Sequence, residues 1–419
     1  MITPLNSADS KQFLIDCWYA GVESVKGQVA TGHALENTVI SKIDRVLAVG
    51  KAASSMCLGV LPFVDEQTQF LIVTKYGHVD KAIRESHQFR SGNFEIVESA
   101  HPVPDCNSLL AGLRALEFVK SAGQNESMVV LVSGGASSLL EALPSSIDLD
   151  DLVSMTSLLL TRGFDITRIN AIRSRISKVK GGKLLERFNG KSVFVFAISD
   201  VPANDISVIG SGIGSYQSAG NIAERLDFEV PAEVEEIFSR SEVSTDTQGF
   251  WKYFSFSSEI IASNETARNA VSEFAENAGA EIMCNEESLH QDVNSAARMI
   301  GDSLLKGPKG IYIWGGEPTV VLPDNPGRGG RNQHLALAVA EIINGLKNVA
   351  IIAAGTDGTD GPTSAAGGLV DGDTCAKLAG ARNALMDADS GNWLEKAGAL
   401  FSSGPTGTNV MDLVIAAKY

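Results

Sequence analysis

The chain has 419 residues, of which 44% are hydrophobic and 20% are charged. This composition is typical of globular proteins with a sizeable core, and the length favours two or three domains over one small module. The 34 basic and 50 acidic side chains leave a formal charge of −16, which argues against a protein that grips nucleic acid or an anionic membrane over a broad face. Any anionic ligand must therefore be held by a local cationic pocket.

Cysteine usage and the N-terminal segment indicate the compartment. The five cysteines are scattered with no C-x-x-C pair, so they indicate neither a disulfide framework nor a structural zinc site. The first 28 residues carry acids and lack a basic stretch followed by an apolar one, so they predict a helix and not a signal peptide. No apolar run approaches the roughly 20 residues that span a bilayer. We therefore expect a cytoplasmic protein without membrane or nucleic-acid partners.

Short runs rich in Val and Ile alternate with longer amphipathic segments along the chain. Strands are predicted at 45–49, 70–74, 128–132, 193–198, 310–314 and 349–354, and helices at 11–26, 108–121, 150–162, 265–278, 291–305 and 333–343. This alternation predicts three-layer α/β domains whose mainly parallel sheets are covered by helices on both faces. The stretch 215–258 is the least periodic, so we place a domain transition there, between domains at 1–240 and 255–419.

Most of the predicted strands lead directly into a glycine-bearing or acidic loop. Ligands of open α/β sheets bind beyond the carboxyl ends of the strands, so these loops predict an active site in a cleft between the two domains. The loops are Gly50-Lys51, Ser133-Gly134-Gly135, Ser199-Asp200, Gly315-Gly316-Glu317 and Gly355-Thr356-Asp357-Gly358.

The segment 133–138 (SGGASS) lies between a predicted strand and a helix. Exposed amides and the helix dipole at such a junction attract a phosphate or carboxylate, and glycine lets the backbone approach closely. A tight turn with a capping serine would account for the same residues without a ligand. A serine hydrolase is disfavoured, because the final glycine of G-x-S-x-G is missing. The predicted anion-binding residues are Ser133, Gly134, Gly135, Ser137 and Ser138.

Two regions supply the cations that an anionic substrate needs. Lys51 follows a strand and opens a helix, where it could hold a transferred phosphoryl group, although no P-loop motif surrounds it. The segment 168–191 carries eight basic side chains against one acid. Most of these form a solvated face in the simpler interpretation, and Arg173 and Lys180 are the stronger candidates for substrate binding.

The segment 327–333 (GRGGRNQ) places two arginines among glycines just before a helix. A guanidinium group in that setting can bind carboxylate or phosphate oxygens in a bidentate manner, which makes Arg331 a candidate functional residue.

Acidic residues follow several predicted strands. Asp357 and Asp360 lie three residues apart after the strand at 349–354, a spacing suited to holding Mg²⁺ or accepting a hydroxyl proton. An Asx turn would account for one of them without a metal. Asp200 and Glu317 follow other strands, and the predicted metal ligands are Asp200, Glu317 and Asp360.

Taken together, these motifs resemble those of the glycerate 2-kinase family with a C-terminal MOFRL domain. They occur in the family's order over nearly the whole chain, with the further segments 180–183 (KGGK) and 403–409 (SGPTGTN). The resemblance implies a Rossmann-like N-terminal domain, a MOFRL-type C-terminal domain, and transfer of the ATP γ-phosphoryl group to the 2-hydroxyl of D-glycerate with Mg²⁺. It also implies that Lys51, Arg331 and Asp357 are the catalytic residues, with Asp357 orienting Mg²⁺ or taking the hydroxyl proton.

Two other functions stay open at this point. Some members of the family carry the name hydroxypyruvate reductase, which would require NAD(P)H, but the nearest match to the dinucleotide fingerprint, GSGIGS at 210–215, lacks the last glycine and a clear preceding strand. A sugar-phosphate-binding regulator without catalysis is disfavoured by the acids at 357 and 360. The expected partners are D-glycerate and ATP, and the expected assembly is a monomer or a homodimer.

Overall fold

The computed structural model describes residues 7–216, 226, 228–241 and 254–419. The strands within them are β1 (Arg45–Val49), β2 (Gln69–Lys75), β3 (Phe94–Ser99), β4 (Ser127–Val132), β5 (Ser192–Ile198), β6 (Ser255–Ala262), β7 (Ile282–Leu289), β8 (Gly310–Gly316), β9 (Val349–Gly355), β10 (Gly367–Asp371), β11 (Leu400–Phe401) and β12 (Asp412–Lys418). All six predicted strands are present within two residues of their predicted bounds.

The α-helices of the described residues connect these strands. They are α1 (Ser7–Ser24), α2 (Gly27–Asn37), α3 (Ala53–Val60), α4 (Lys81–Glu85), α5 (His87–Arg90), α6 (Cys106–Lys120), α7 (Ala136–Leu139), α8 (Leu149–Thr161), α9 (Ile166–Ile176), α10 (Ala232–Arg240), α11 (Asn264–Asn277), α12 (Val293–Lys306), α13 (Arg331–Ile342), α14 (Ala381–Met386) and α15 (Ser390–Lys396). The six predicted helices correspond to α1, α6, α8, α11, α12 and α13. None of the helices in the described ranges is long and apolar enough to cross a bilayer.

The chain divides into two compact units. The parallel-sheet unit is Gly27–Ile261, and the mixed-sheet unit combines α1 with Ala262–Tyr419. This division differs from the predicted boundaries at both ends of the parallel-sheet unit. Helix α1 joins the mixed-sheet unit because the buried Trp18 ring packs edge-on against Phe401, with ring centroids 5.0 Å apart. Strand β6 joins the first sheet. Residues 217–225, 227 and 242–253 of the predicted transition lie outside the described residues.

The parallel-sheet unit contains a six-stranded sheet in the order β3-β2-β1-β4-β5-β6. Strands β1 to β5 pair in parallel with their neighbours. Every residue of β1 and β4 is buried, as expected for central parallel strands that are covered on both faces. The carboxyl ends of β1, β4 and β5 consequently lie side by side at one edge of the sheet.

The mixed-sheet unit contains six strands in the order β11-β10-β9-β12-β8-β7. Strands β7, β8, β9 and β11 point the same way, whereas β10 and β12 run antiparallel to their neighbours. The predicted two-domain α/β class is confirmed, with these two reversed strands as the difference from a purely parallel sheet. Because β12 is inserted between β8 and β9, its first residue, Asp412, lies opposite both Gly316 and Gly355.

Candidate active site

Three of the predicted loops follow neighbouring strands of the parallel-sheet unit. Gly50-Lys51 follows β1, the glycine loop (residues 133–138) follows β4, and Ser199-Asp200 follows β5. Since these strands are adjacent and parallel, their loops leave the sheet at the same edge. The structure therefore brings Lys51 and the glycine loop together, as the sequence predicts.

Ser133 links the first two of these loops. Its hydroxyl is fully buried and accepts a hydrogen bond from the Ala52 N–H at 3.0 Å, while the Lys51 N–H donates to the Gly134 carbonyl at 2.9 Å. Gly50 has a φ of +130°, and a Cβ on it would lie 2.1 Å from the Ser133 hydroxyl oxygen. Glycine is therefore required for this close approach, and Ser133 holds the two loops together.

Gly135 forms the centre of the glycine loop. It has a φ of +84°, and a Cβ on it would lie 2.9 Å from His101 Cδ2 and 3.3 Å from Lys51 Cγ. The helix that follows, α7, is a single turn. An anion at this loop would therefore meet backbone amides and the neighbouring Lys51, with little contribution from a helix dipole.

The hydroxyls of Ser137 and Ser138 in the glycine loop have protein hydrogen-bond partners. The Ser137 hydroxyl lies 2.8 Å from the hydroxyl of Ser211, and the Ser138 hydroxyl donates to the Gly135 carbonyl at 3.2 Å. Ser211 has a left-handed φ of +56°, a conformation that costs a non-glycine residue free energy and is concentrated at functional sites. Sequence reasoning did not identify Ser211 as a neighbour of this loop.

Arg173 and Lys180 share the buried carboxylate of Glu141. Lys180 Nζ donates to Glu141 Oε2, and the Ser177 hydroxyl donates to Oε1 at 2.5 Å. Desolvation outweighs the attraction of Glu141 and lowers the pKa of Lys180 to about 8. Arg173 donates from Nη2 to the Ser137 carbonyl at 3.0 Å. Lys180 is fully buried and paired with Glu141, whereas Arg173 contacts the glycine loop through the Ser137 carbonyl.

Arg331 begins α13 and lies between two carboxylates of the mixed-sheet unit. Its Nε and Nη2 donate to the two oxygens of Asp412 at 2.6 and 3.0 Å, and its Nη1 lies 2.6 Å from Glu317 Oε1. Burial alone would lower the pKa of Arg331, but the charge and hydrogen bonds of Asp412 outweigh burial and raise it. The other arginine of this segment, Arg328, forms an ion pair with Glu395 at 2.7 Å instead.

Asp360 caps the start of α13. Its Oδ1 accepts from the Asn332 N–H at 3.1 Å, and its Oδ2 accepts from the Gln333 N–H at 2.8 Å and the Gln333 Nε2 at 2.9 Å. Burial raises the pKa of Asp360 to about 6, although these hydrogen bonds oppose the shift. Both carboxylate oxygens of Asp360, a predicted metal ligand, therefore accept hydrogen bonds from the first turn of α13. A buried carboxylate requires such hydrogen-bond partners.

Asp357 lies beside the pair of Arg331 and Asp412. Its Oδ1 accepts from the N–H and the hydroxyl of Thr359 at 2.9 and 3.0 Å, which forms an Asx turn. A Cβ on Gly355 would lie 3.4 Å from Asp412 Oδ1 and 3.5 Å from Asp357 Oδ1. Asp412, which holds Arg331, therefore lies close to Asp357 across Gly355.

The three predicted metal ligands do not form one group. Glu317 forms an ion pair with Arg331, and Asp360 caps α13. Among the residues that the structure describes, no three His, Cys, Asp or Glu side chains are placed to hold a metal ion together. A metal cage built from protein side chains alone is therefore not present in these ranges.

The segment 210–215 (GSGIGS) does not have the surroundings of a dinucleotide fingerprint. Residues 205–208 before it form a turn and not a strand, and Ile209–Gly212 is a 3₁₀ turn. A Cβ on Gly214 would lie 2.8 Å from Val132 Cγ2. This glycine allows the segment to pack closely against β4, which accounts for it without a nucleotide.

Two acids of these networks were not predicted from the sequence. Asp412 stands at the head of the apolar run 413–417, and Glu141 interrupts the apolar segment 139–143. A carboxylate placed in an apolar run has to find a cation or several hydrogen bonds when it is buried. That signal would have identified both residues.

Models of protein families match both parts of the chain. Residues 13–239 match a domain of unknown function named DUF4147, and residues 310–412 match the MOFRL family.

Several known proteins are similar over most of the chain. A D-glycerate 2-kinase from Thermotoga maritima is 35% identical over 395 residues, which cover 89% of this chain and 90% of the relative. A glycerate 2-kinase from Pyrococcus horikoshii is also 35% identical, covering 88% and 86%. A putative hydroxypyruvate reductase from Agrobacterium vitis is 30% identical, covering 88% and 97%. The crystal structure of a glycerate kinase from Thermotoga maritima superposes with a TM-score of 0.80 at 33% identity, covering 98% and 99%.

Proposed function

Since the chain belongs to the glycerate 2-kinase family, we propose that it transfers the γ-phosphoryl group of ATP to the 2-hydroxyl of D-glycerate. It is then a phosphotransferase with an alcohol as acceptor. The observation that carries the proposal is the Arg331 guanidinium group, which is held by Asp412 in the region where Asp357 lies. A fixed cation next to a carboxylate is what phosphoryl transfer to a hydroxyl requires, because the protein contributes mainly positioning and charge stabilisation to this reaction.

Lys51 and the glycine loop bind phosphate oxygens in this proposal. The Lys51 stem lies against Gly135, so its ammonium group belongs to the same edge of the sheet as the loop amides. These donors neutralise charge that grows on the transferred group, and such preorganised donors commonly contribute orders of magnitude to the rate. Arg173 keeps the loop in place through the Ser137 carbonyl.

Arg331 and Asp357 act on the transferred group and on the acceptor. Of the five N–H donors of a guanidinium group, Arg331 uses two on Asp412 and one on Glu317, and the two remaining donors can meet phosphoryl or carboxylate oxygens. Asp357 is oriented by Thr359 and takes the proton of the attacking hydroxyl as a general base.

Mg²⁺ accompanies ATP in the proposal. Such an ion usually binds through one or two carboxylates together with substrate phosphates and water, so a cage of three protein acids is not needed. Asp200, in the loop after β5, is the carboxylate that would hold the ion, because Asp357 serves as the general base in this proposal. When bound, the ion would neutralise charge on the β- and γ-phosphate oxygens.

A reductase would need a strand, a glycine turn and a helix for its dinucleotide. The segment 210–215 lacks the strand, so the hydroxypyruvate reductase interpretation has no structural support at its nearest match. The interpretation as a non-catalytic regulator does not explain why the carboxylate of Asp357 lies in the same region as Arg331. We also propose a cytoplasmic location and a monomeric or homodimeric state, the latter to be measured by light scattering.

The experiment measures ADP release from ATP, Mg²⁺ and D-glycerate, with NADH and hydroxypyruvate in a parallel reaction. We expect ADP release and no consumption of NADH. Lys51→Ala lowers kcat by roughly 10³-fold, since one cation at the phosphoryl group is lost. The control is Lys81→Ala, which removes an exposed lysine of the same unit and leaves kcat unchanged. NADH consumption without ADP release contradicts the proposed function, and a fully active Lys51→Ala enzyme removes Lys51 from the mechanism.

A further inference from the structure

We propose that Asp412 is a positioning residue that aims the guanidinium group of Arg331 at the reacting phosphoryl group. This inference rests on the proposed function and adds a residue to it. Asp412 has no exposed surface, so it acts through Arg331 and does not touch the substrate.

The fold places the Asp412 carboxylate against the guanidinium group of Arg331. Asp412 begins β12, a strand enclosed by β8 on one side and β9 on the other, and its register partners are Gly316 and Gly355. Neither partner has a side chain, which leaves the face of the sheet around the carboxylate open for the Arg331 fork. A Cβ on Gly355 would lie 2.7 Å from the Thr359 carbonyl oxygen and in van der Waals contact with Asp412 Oδ1, so glycine is required at this position.

The contact between Asp412 and Arg331 fixes an orientation as well as a position. Two parallel N–H···O bonds, at 2.6 and 3.0 Å, hold the guanidinium plane in the plane of the carboxylate. A single bond, such as a lysine would make, would leave the cation free to rotate. The start of α13 adds a second restraint, because Asp360 accepts from the backbone N–H groups of Asn332 and Gln333, the two residues after Arg331.

A contribution to the stability of the fold does not by itself explain the ion pair of Asp412 and Arg331. Removing a carboxylate and a guanidinium group from water costs about as much as their attraction returns, so buried ion pairs contribute little net free energy of folding. Arg331 also keeps a partly exposed side, where Glu317 forms the second ion pair at 2.6 Å. The arrangement therefore consists of a permanent buried support on one side of the guanidinium group and an accessible side on the other, which is the arrangement that a positioned catalytic cation requires.

The test compares Asp412→Asn with the wild-type chain. The amide is isosteric but can no longer accept both N–H groups of the fork, so Arg331 turns away from its position. Because a displacement of about 1 Å at a reacting centre can cost on the order of 10²-fold in rate, kcat falls by roughly that factor, while KM for both substrates changes less than about threefold. In an Arg331→Lys background the same substitution has no further effect on kcat, since the group it positions is already lost.

Asp371→Asn is the matched control. Asp371 is also a buried aspartate of the mixed-sheet unit, paired with Lys11 at 2.6 Å, but it lies opposite Ala350 at the start of β9. It is therefore roughly 17 Å along the sheet from Asp412. We expect this variant to lose stability and to keep kcat. Asp412→Glu is a second test, because it retains the charge but moves the fork by one methylene group, and its kcat falls as well.

A measurement that does not depend on enzymatic activity, the hydrogen exchange of Arg331, separates this inference from the proposed function. In the wild-type chain the Arg331 Nε–H exchanges slowly with solvent, as followed by NMR of arginine-labelled protein, and in folded Asp412→Asn it exchanges rapidly. An unchanged kcat in folded Asp412→Asn, or multiplicative losses with Arg331→Lys, overturns the inference. If the wild-type chain releases no ADP with D-glycerate, the proposed function fails, and equal exchange rates in both proteins would then overturn the positioning by Asp412 on its own.

Discussion

Alanine in place of Gly50 tests how the Lys51 loop is held against the glycine loop. A methyl group at this position would lie 2.1 Å from the Ser133 hydroxyl oxygen and 2.5 Å from the Ser133 carbonyl oxygen, distances that Cβ atoms do not reach in folded proteins. The two loops must therefore move apart by about 1 Å. The movement breaks the hydrogen bond from the Ala52 N–H to Ser133 and displaces Lys51.

The magnitude follows from three contributions. A φ of +130° costs a non-glycine residue about 1 to 3 kcal/mol. Overpacking between two backbones adds about 1 to 3 kcal/mol, and the lost hydrogen bond adds about 1 kcal/mol. We expect Gly50→Ala to lower the free energy of unfolding by at least about 3 kcal/mol, which lowers Tm by roughly 6 to 12 °C for a unit of this size.

Gly77→Ala is the matched control in the same unit. Gly77 has a φ of +75°, and a Cβ on it would meet no atom within 4 Å. This variant carries only the backbone cost of about 1 to 2 kcal/mol and keeps its kcat. The assay combines thermal unfolding by circular dichroism with ADP release. If the Tm of Gly50→Ala equals that of Gly77→Ala and Gly50→Ala retains full kcat, the hydrogen bond through Ser133 does not hold the Lys51 loop.

Two further variants test the buried charges. Lys180→Met leaves the Glu141 carboxylate buried without its lysine, so we expect the urea midpoint to fall by an amount equivalent to about 3 to 5 kcal/mol of unfolding free energy. Adding Glu141→Gln to the same chain restores part of this loss. A midpoint equal to that of the wild type would show that Lys180 does not neutralise Glu141 as a buried charge. The raised pKa of Asp360 means that the folded chain retains a proton that the unfolded chain has lost, so the stability from this group is complete below pH 3.8 and is lost as the pH rises through about 6. The unfolding free energy of the wild type relative to Asp360→Asn therefore decreases by about 2 kcal/mol between pH 4 and pH 7, and an increase would contradict the burial argument.

The central strands and long helices could be predicted from the sequence because their signal is local. Strands β1, β4 and β9 are buried at every position and appear as continuous apolar runs. Strands β3 and β7 were missed, since most of their residues are partly exposed and polar residues interrupt the apolar pattern. Strand β12 was missed although it is apolar, because its place between β8 and β9 depends on a pairing with residues far away in the chain.

The candidate site was predictable in its residue types and only partly in their contacts. Glycines after strands located the loops of Lys51 and Asp357 correctly, because such loops must lie at the carboxyl edge of the sheet. The partners of the cations could not be predicted, since an ion pair depends on distances between separate elements. Lys180 therefore turned out to be paired with Glu141, and Arg331 with Asp412.

The most direct test of the proposed reaction is the position of the phosphate on the product. ATP, Mg²⁺ and D-glycerate are incubated with the enzyme, and the product is offered to enolase in the absence of phosphoglycerate mutase. A glycerate 2-kinase yields ADP together with immediate enolase turnover. Enolase turnover that appears only after mutase is added would assign transfer to the 3-hydroxyl, and the absence of ADP would contradict phosphoryl transfer to glycerate altogether.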